Sequence, residues 1–483
     1  MEAATLTRTG STVGNFSECE LPLVRWPRRL IILTSFVPGR DAEVGPGRRR
    51  SAYRAAGSRR RSASRAVGNL GAGDSKFHPC QAAAFGALPR SSGDRLLLAW
   101  IAVLAGVGCT RSQPLDIEPH RLAQGTHRCL VRGSGSVWCS GYNRDGQLGD
   151  GTNTNRSELR QVRDLEHIVA VSVGGALSCA LDQKGRVACF GAQNRWQSSR
   201  PQTVEGLPRT VEVAVGGDHS CARSEDGAMY CWGCGLAGQL GTGHSGKTDP
   251  QGDRSPFAWV ASLEAKKPTR VLGLGRVRRI AVGSGGSCNG HSCAIDVDGR
   301  LWCWGENRFG AVGDGSPWPS TLPDSQASPT WVVGLKDVTQ VALGAGHSCA
   351  IHGDAQLSCW GLNDHGQLGD GTLSSTRAPV LVPAAPRATA IAAGMTHSCL
   401  IDSDGALYCF GANTDGQLGT GDTDDRRSPT KVEGLAAVVE VTAGPYNTCA
   451  RTGSDEVYCF GREGEGPYWS ASATPALRPR LVR

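Results

Sequence analysis

Cysteine is the residue whose placement in this chain carries the most chemical content. Among the 19 cysteines, seven pairs stand out: Cys129 and Cys139, Cys179 and Cys189, Cys221 and Cys231, Cys293 and Cys303, Cys349 and Cys359, Cys399 and Cys409, and Cys449 and Cys459, each separated by ten positions. Three chemistries compete for them. A zinc site takes four ligands, usually from closer pairs such as C-x2-C, so two thiolates ten residues apart supply half a site. Buried free thiols, packing as small apolar groups, suit a reducing cytosol. Disulfides suit an oxidising compartment, and a regular, even series favours them.

Other residues with chemical potential are weaker. Gly241-Thr242-Gly243-His244-Ser245-Gly246-Lys247-Thr248 satisfies the phosphate-loop pattern. That chemistry needs a buried strand before the loop and a helix after it, so that backbone N–H groups converge on phosphate. A Gly-rich connector precedes the stretch here and Asp249-Pro250-Gln251-Gly252-Asp253 follows, so no nucleotide or other cofactor is assigned. His127, His219, His291, His347 and His397 each stand two residues before the first cysteine of a pair, with Leu177 and Asn447 in the two remaining places. A residue recurring by repeat position is expected to make one repeated hydrogen bond rather than to bind metal. Asp-Gly pairs such as Asp370-Gly371 read as turns rather than calcium ligands. With no nucleophile, base and orienting group recurring together, the expectation is a non-enzymatic protein.

The elements that position the cysteines are short strands. In the sixth pair, His397-Ser398-Cys399-Leu400-Ile401 and Leu407-Tyr408-Cys409-Phe410-Gly411 flank Ser403-Asp404-Gly405, which reads as a three-residue hairpin loop with its glycine left-handed. Residues equidistant from the loop centre face each other, so Cys399 and Cys409 meet across the hairpin, at a separation of about 4.5 or 5.5 Å between Cα atoms. Oxidation within each hairpin is therefore the expectation. The turn glycine recurs as Gly135, Gly185, Gly227 and Gly299, but Ala355 and Asp455 replace it, and those two turns are expected to differ.

First cysteines recur at intervals of 50, 42, 72, 56, 50 and 50 residues, a repeat of about 50 with two longer spacers. A Gly follows the second cysteine by two positions throughout, and several units continue as Asn363-Asp364-His365-Gly366-Gln367-Leu368-Gly369-Asp370-Gly371-Thr372. The unit then holds about four strands, and seven such units suit an all-β, seven-bladed β-propeller of four-stranded blades over residues 115–483. The 66 glycines fit so many turns.

These units resemble the repeats of the regulator of chromosome condensation, a seven-bladed propeller, in the cysteine-paired form found in secreted or surface bacterial proteins. The second and seventh units depart from it at Asn194-Arg195-Trp196-Gln197 and Glu463-Gly464-Glu465-Gly466, which lack the Gly-Gln-Leu-Gly stretch. The resemblance implies guanine nucleotide exchange on a small GTPase, the namesake's activity, as an alternative function. A surface enzyme built on the insertion loops is a further alternative. The terminal segment Thr474–Val482 is expected to pair beside the amino-terminal segment and shut the ring.

The net charge of +7 belongs to the leader: residues 1–95 carry 15 Arg and one Lys against seven acids, and residues 96–483 sum to −2. The leader reads as a disordered Arg-rich segment, either a basic arm or the product of a start assigned too far upstream. Without a basic folded body, no nucleic-acid partner is expected. Residues 96–109 read as a signal segment: a 13-residue apolar run, 96–108, too short to span a membrane, followed by Cys109. Small residues before Cys109 resemble a bacterial lipoprotein signal, which makes Cys109 the expected lipid anchor and the cell envelope or exterior the expected location.

Cys234 and Cys288 lie outside the series, and their places in neighbouring units suggest an inter-blade disulfide. Two long insertions, around residues 242–270 and 316–331, are expected on one face, with Trp259, Trp318 and Trp331 as partner anchors. The reading is thus an exported, monomeric, cofactor-free binding scaffold for a protein or surface polymer, touching the membrane only through lipid.

Overall fold

The computed structural model describes residues 119–482, apart from 194–195, 246–264, 284, 287, 318–323 and 463–474. The leader, Cys109, Trp259 and Trp318 lie outside the described residues. Seven four-stranded antiparallel sheets succeed one another along the chain, spanning 122–161, 168–203, 210–270, 277–331, 340–381, 388–431 and 438–481. Each is a simple meander, and the first strand of every blade lies beside the first strand of its neighbours, including the first blade against the seventh. This is an all-β, seven-bladed propeller.

The sixth blade shows why the sequence folds this way. Its strands are Ala388–Ala393, His397–Asp402, Leu407–Gly411 and Arg426–Lys431. The second strand is buried throughout, and the apolar residues of the first and third face neighbouring blades. The hairpin closes with Ile401 opposite Leu407, while Asp402 Oδ1 accepts the N–H groups of Asp404 and Ala406 at 2.9 and 2.8 Å. Gly405 supplies the left-handed φ of 75°. Ala355 and Asp455 adopt φ of 64° and 68° at the same position, so the left-handed turn survives without glycine. The fifth turn does differ, because Gly353 is also left-handed and His352 stands where the capping aspartate would be.

In all seven hairpins the two cysteines are register partners, with Cα atoms 4.0 to 4.2 Å apart and the sulfurs bonded. None of these cysteines is more than 3% exposed. Each cross-link therefore sits inside the blade stack.

Blades interlock through an aromatic residue and a glycine. Trp360 is fully buried, and its Nε1 donates to the carbonyl of Ala311 on the preceding blade at 2.9 Å. A Cβ on Gly313 would come within 2.7 Å of that ring. Gly149 meets Phe190, Gly369 meets Phe410 and Gly419 meets Phe460 in the same way, each at 2.7 Å. Burial of such a ring stabilises by roughly 2–3 kcal/mol, which explains why the Gly-Gln-Leu-Gly stretch accompanies the aromatic.

The outermost strands are edges, and their sequence blunts them. Pro201, Pro268, Pro329, Pro379, Pro429 and Pro479 occupy one register position in six blades, immediately before the partner of the second cysteine. A proline offers no N–H to an incoming strand. The final strand, Ala476–Leu481, pairs with Val457–Gly461 as the outer strand of its own blade and not with the amino-terminal segment. The ring closes differently, through the Glu440 carboxylate, which accepts the N–H groups of Arg121 and Leu122 at 3.1 and 3.2 Å.

Candidate interaction face

The connections after the first and third strands of each blade emerge on one face, called here the connector face. Four of its loops are organised by one buried asparagine each. Asn363 Oδ1 accepts the N–H of Leu368 at 3.0 Å, and its Nδ2 reaches the carbonyls of Thr372 and Ser374 and the carboxylate of Asp370, all at 3.2 Å. Asn143 and Asn413 do the same in the first and sixth blades, and Asn307 in the fourth binds Val312 N and Asp314. All four are fully buried. A buried amide that saturates both its oxygen and its nitrogen holds a loop in one shape.

Beneath these loops runs an inter-blade hydrogen-bond chain. The Nε2 atoms of His127, His219, His291 and His347 lie 2.6, 2.8, 2.8 and 2.9 Å from the hydroxyls of Ser178, Ser292, Ser348 and Ser398 on the following blade, and His397 pairs with Thr448 at 2.9 Å. Each hydroxyl donates its hydrogen back to a carbonyl of the preceding blade's connector, as Ser398 does to Gln367 at 3.0 Å. A hydroxyl owns one hydrogen, so it must accept from the imidazole, which fixes every ring as the Nε2–H tautomer. Burial pushes these imidazoles down to about 3 for His127, His219 and His347 and about 4 for His291 and His397. They are neutral struts whose Nε2 proton is committed to the next blade.

Where histidine is missing, another residue takes over. Leu177 occupies the place in the second blade, and Gln193 Nε2 donates to Ser220 Oγ at 2.9 Å instead. In the seventh blade Asn447 donates to the Arg462 carbonyl at 3.1 Å within its own blade, and the junction to the first blade relies on Glu440.

A feature not recognised in the sequence lies at the end of each first strand. Gly125, Gly174, Gly216, Gly283, Gly344, Gly394 and Gly444 form a circle: a Cβ on each would fall 1.8 to 2.9 Å from the carbonyl oxygen of the next, and Gly444 returns to Gly125. The imidazoles press on the same glycines, His347 Cε1 lying 2.3 Å from where a Gly344 Cβ would be. Only recurrence after the Val-rich strand, among 66 glycines, signals it.

Further along the first strands, a cavity of about 320 Å³ is lined by Glu212, Arg279, Gln340, Glu440 and Arg451, among others. Arg223 meets Glu212 and Arg451 meets Glu440, both at 2.8 Å. Burial nevertheless pushes the Glu212 carboxyl up. Glu212 also accepts Ile280 N–H of the next blade at 3.2 Å, so these carboxylates tie blades together. Among the described residues no cluster of three or more His, Cys, Asp or Glu forms a metal site.

The structure joins Cys234, in the third blade's connector, to Cys288 in the connector after the fourth blade's first strand, with Cα atoms 5.6 Å apart. The two connectors are bound further by Cys288 N–H to Asp218 Oδ2 at 2.8 Å and Gln239 Nε2 to the Cys288 carbonyl at 3.0 Å. Cys288 is half-buried and left-handed, with φ of 62°. Of the expected anchors, Trp331 is placed elsewhere than its grouping with the insertions implies. Ser325–Trp331 is the fourth blade's outermost strand, and Trp331 stands at its end remote from the connector face, opposite Trp302 and 54% exposed. The insertion is correspondingly shorter, because pairing with Leu301–Glu306 absorbs its second half. Likewise Ala265–Arg270, counted with the first insertion, is the third blade's outermost strand. Of the phosphate-loop pattern, Gly241–Ser245 lie in this connector and the rest is outside the described residues.

The RCC1-like domain model matches residues 120–448, and the regulator of chromosome condensation (RCC1) repeat model matches residues 438–466. The chain belongs to the RCC1-like family. Among RCC1-like relatives, it is 31% identical over 289 residues to the E3 ubiquitin-protein ligase HERC2 of Homo sapiens, covering 56% of this chain and 5% of that protein. Similarity to the Regulator of chromosome condensation of Xenopus laevis is 27% over 319 residues, 53% of this chain and 74% of that one. The solved structure of Prp20p from Saccharomyces cerevisiae superposes with a TM-score of 0.57 at 23% identity, over 67% of this chain and 80% of that one, which shows the shared RCC1-like fold. The chain thus spans about a twentieth of the length of HERC2, the rest of which it does not match.

Proposed function

We propose that this RCC1-like chain is an exported, disulfide-hardened, monomeric scaffold that binds another protein or a surface polymer on its connector face and performs no catalysis. The observation that carries the reading is the set of eight disulfides among the described residues, above all Cys234–Cys288, which links residues 54 positions apart across a blade junction. Stable disulfides form in oxidising compartments and are rare in the cytosol. The histidines are committed to packing and the cavity carboxylates to blade junctions, which supports binding over chemistry. Prp20p binds Gsp1p and histones, so protein binding by a propeller of this fold has a precedent, although fold alone does not transfer function. Cys109 is proposed as the tether.

Cell fractionation, the mature amino terminus and non-reducing peptide mapping test this together. Envelope or extracellular material beginning at Cys109, with the sixteen propeller cysteines paired, is expected. A cytosolic pool with alkylatable cysteines would overturn it and turn attention to nucleotide exchange on a small GTPase.

A further inference from the structure

We infer that the connector face over the fourth, fifth and sixth blades is a docking patch for a cationic polypeptide segment carrying apolar side chains. This rests on the scaffold reading and adds to it the sector and the chemistry of the partner.

Charge on the propeller is segregated. Among the described residues, the connectors at 307–317 with 324, 362–375 and 412–425 hold two, two and four acidic residues against one base, Arg308. The seven outermost strands hold twelve Lys and Arg against one acid, Glu158. Residues 96–483 sum to only −2, so the acidic sector is a local feature. Several of its carboxylates are engaged: Asp422 with Arg426 at 2.6 Å, Asp425 with His365 at 2.8 Å, and Asp415 with Arg462. Asp324, Asp364 and Asp424 are exposed, one on each connector, Asp364 while accepting the Gln367 Nε2–H at 3.0 Å.

An apolar path runs inside this acidic margin. Phe309 is 37% exposed, and its ring reaches within 3.3 Å of a Cβ position on Gly346, which is also 3.4 Å from Leu362. The adjacent Ala345 donates its N–H to the Met395 carbonyl at 3.4 Å, and Met395 is 36% exposed. Phe309, Leu362 and Met395, on three successive blades, thus cluster around Ala345 and Gly346. A lysine or arginine lays its aliphatic stem on such ground, or its charge on the Phe309 ring, and extends its head to a surrounding carboxylate. The asparagine-locked connectors are already ordered, so docking costs little further entropy. Nucleic acid is repelled by the same field. The basic strands make a poorer candidate for a polyanion site, because they are spread around the whole circumference and Arg156 and Arg426 are paired with Asp150 and Asp422.

The test is fluorescence anisotropy with the full chain and three labelled probes: a peptide of six Lys-Leu dipeptides, an oligolysine of equal charge, and a peptide of six Glu-Leu dipeptides. The Lys-Leu peptide should bind, weaken with salt, and bind more tightly than oligolysine, while the Glu-Leu peptide stays free. Combining Asp324→Asn, Asp364→Asn and Asp424→Asn should weaken binding about tenfold or more, and Phe309→Ser about fivefold. Lys431→Gln, on an outer strand, should leave binding unchanged, and thermal midpoints of all variants should stay near the parent's. Equal binding by the Glu-Leu peptide, or parental affinity in the acidic and Phe309 variants, overturns the inference. A cytosolic, reduced chain sinks the export reading without touching these titrations. An oxidised envelope protein that ignores the Lys-Leu peptide keeps that reading and removes this partner.

Discussion

His347 Nε2 lies 2.9 Å from Ser398 Oγ of the next blade, and that hydroxyl lies 3.0 Å from the Gln367 carbonyl it donates to. One side chain thereby fixes the tautomer of a buried imidazole, joins two blades and anchors a connector. His347→Ala should remove a hydrogen bond and open a buried cavity, lowering stability by about 2–4 kcal/mol. Ser398→Ala, which keeps most of the volume but strands the imidazole donor, should cost about 1–3 kcal/mol. Denaturant titration of both variants checks the order.

Acid sensitivity follows from the same histidines. Their folded-state values of about 3 to 4 lie below the ordinary 6.5, so the unfolded chain takes up protons first as pH falls. Their contribution is therefore complete above about pH 6.5 and is lost progressively toward about pH 3, with a slope of about 1.4 kcal/mol per pH unit for each histidine. Glu212, whose value is raised, acts in the opposite sense at the acidic end. Thermal midpoints between pH 7.5 and 4.5 should fall steadily, and a His291→Gln variant should show a shallower decline.

Disulfides should differ in lability. The hairpin cysteines are at most 3% exposed, whereas Cys288 is half-buried on the connector face. Thiolate attack needs access to sulfur. Graded treatment with a dithiol, followed by alkylation and mass spectrometry, should label Cys234 and Cys288 before any hairpin pair. Replacing Cys399 and Cys409 together with serine should cost up to about 3 kcal/mol.

The junction between the first and last blades should be sensitive at Glu440. Its carboxylate binds Arg451 at 2.8 Å and two backbone N–H groups of the first blade, so Glu440→Ala leaves a largely buried guanidinium held by Asp455 alone and two backbone donors unmatched. A loss of about 2–4 kcal/mol is expected. Limited proteolysis should then cut the first blade sooner than in the parent.

Glycine tolerance separates the circle from ordinary turns. Gly344→Ala would place a methyl 2.3 Å from His347 Cε1 and 2.6 Å from the Gly394 carbonyl, and soluble yield should collapse. Gly275→Ala meets nothing within 4 Å and should be silent.

The hairpins and their register were legible because cysteine spacing states the register directly: ten positions around a three-residue turn admit one pairing. Copy number and blade content followed from the recurrence of that unit. The glycine circle was hidden because six of its contacts join residues roughly 40 to 70 positions apart and the seventh joins Gly444 to Gly125, in a chain crowded with glycine, and no local pattern marks a Cα that touches a neighbour's carbonyl. Trp331 was grouped with a loop because Ser325–Trp331 has Thr330 as its single β-branched residue and contains Pro329, which an edge strand tolerates. The terminal strand was expected across the ring opening because its sequence type was read without a partner. Pairing with Val457–Gly461 completes its own blade. Gln193 in place of histidine was likewise unreadable, since it reaches Ser220 from the third strand rather than the second.

The circle of seven glycines also sets the size of the molecule. Neighbouring main chains abut there with no side chain to compress or swell, so the inner perimeter equals seven backbone widths. Duplicating one 50-residue module within the gene would demand that all those abutments open at once. Evolution of this architecture is therefore free to lengthen or recharge the peripheral loops, while the number of modules stays quantised.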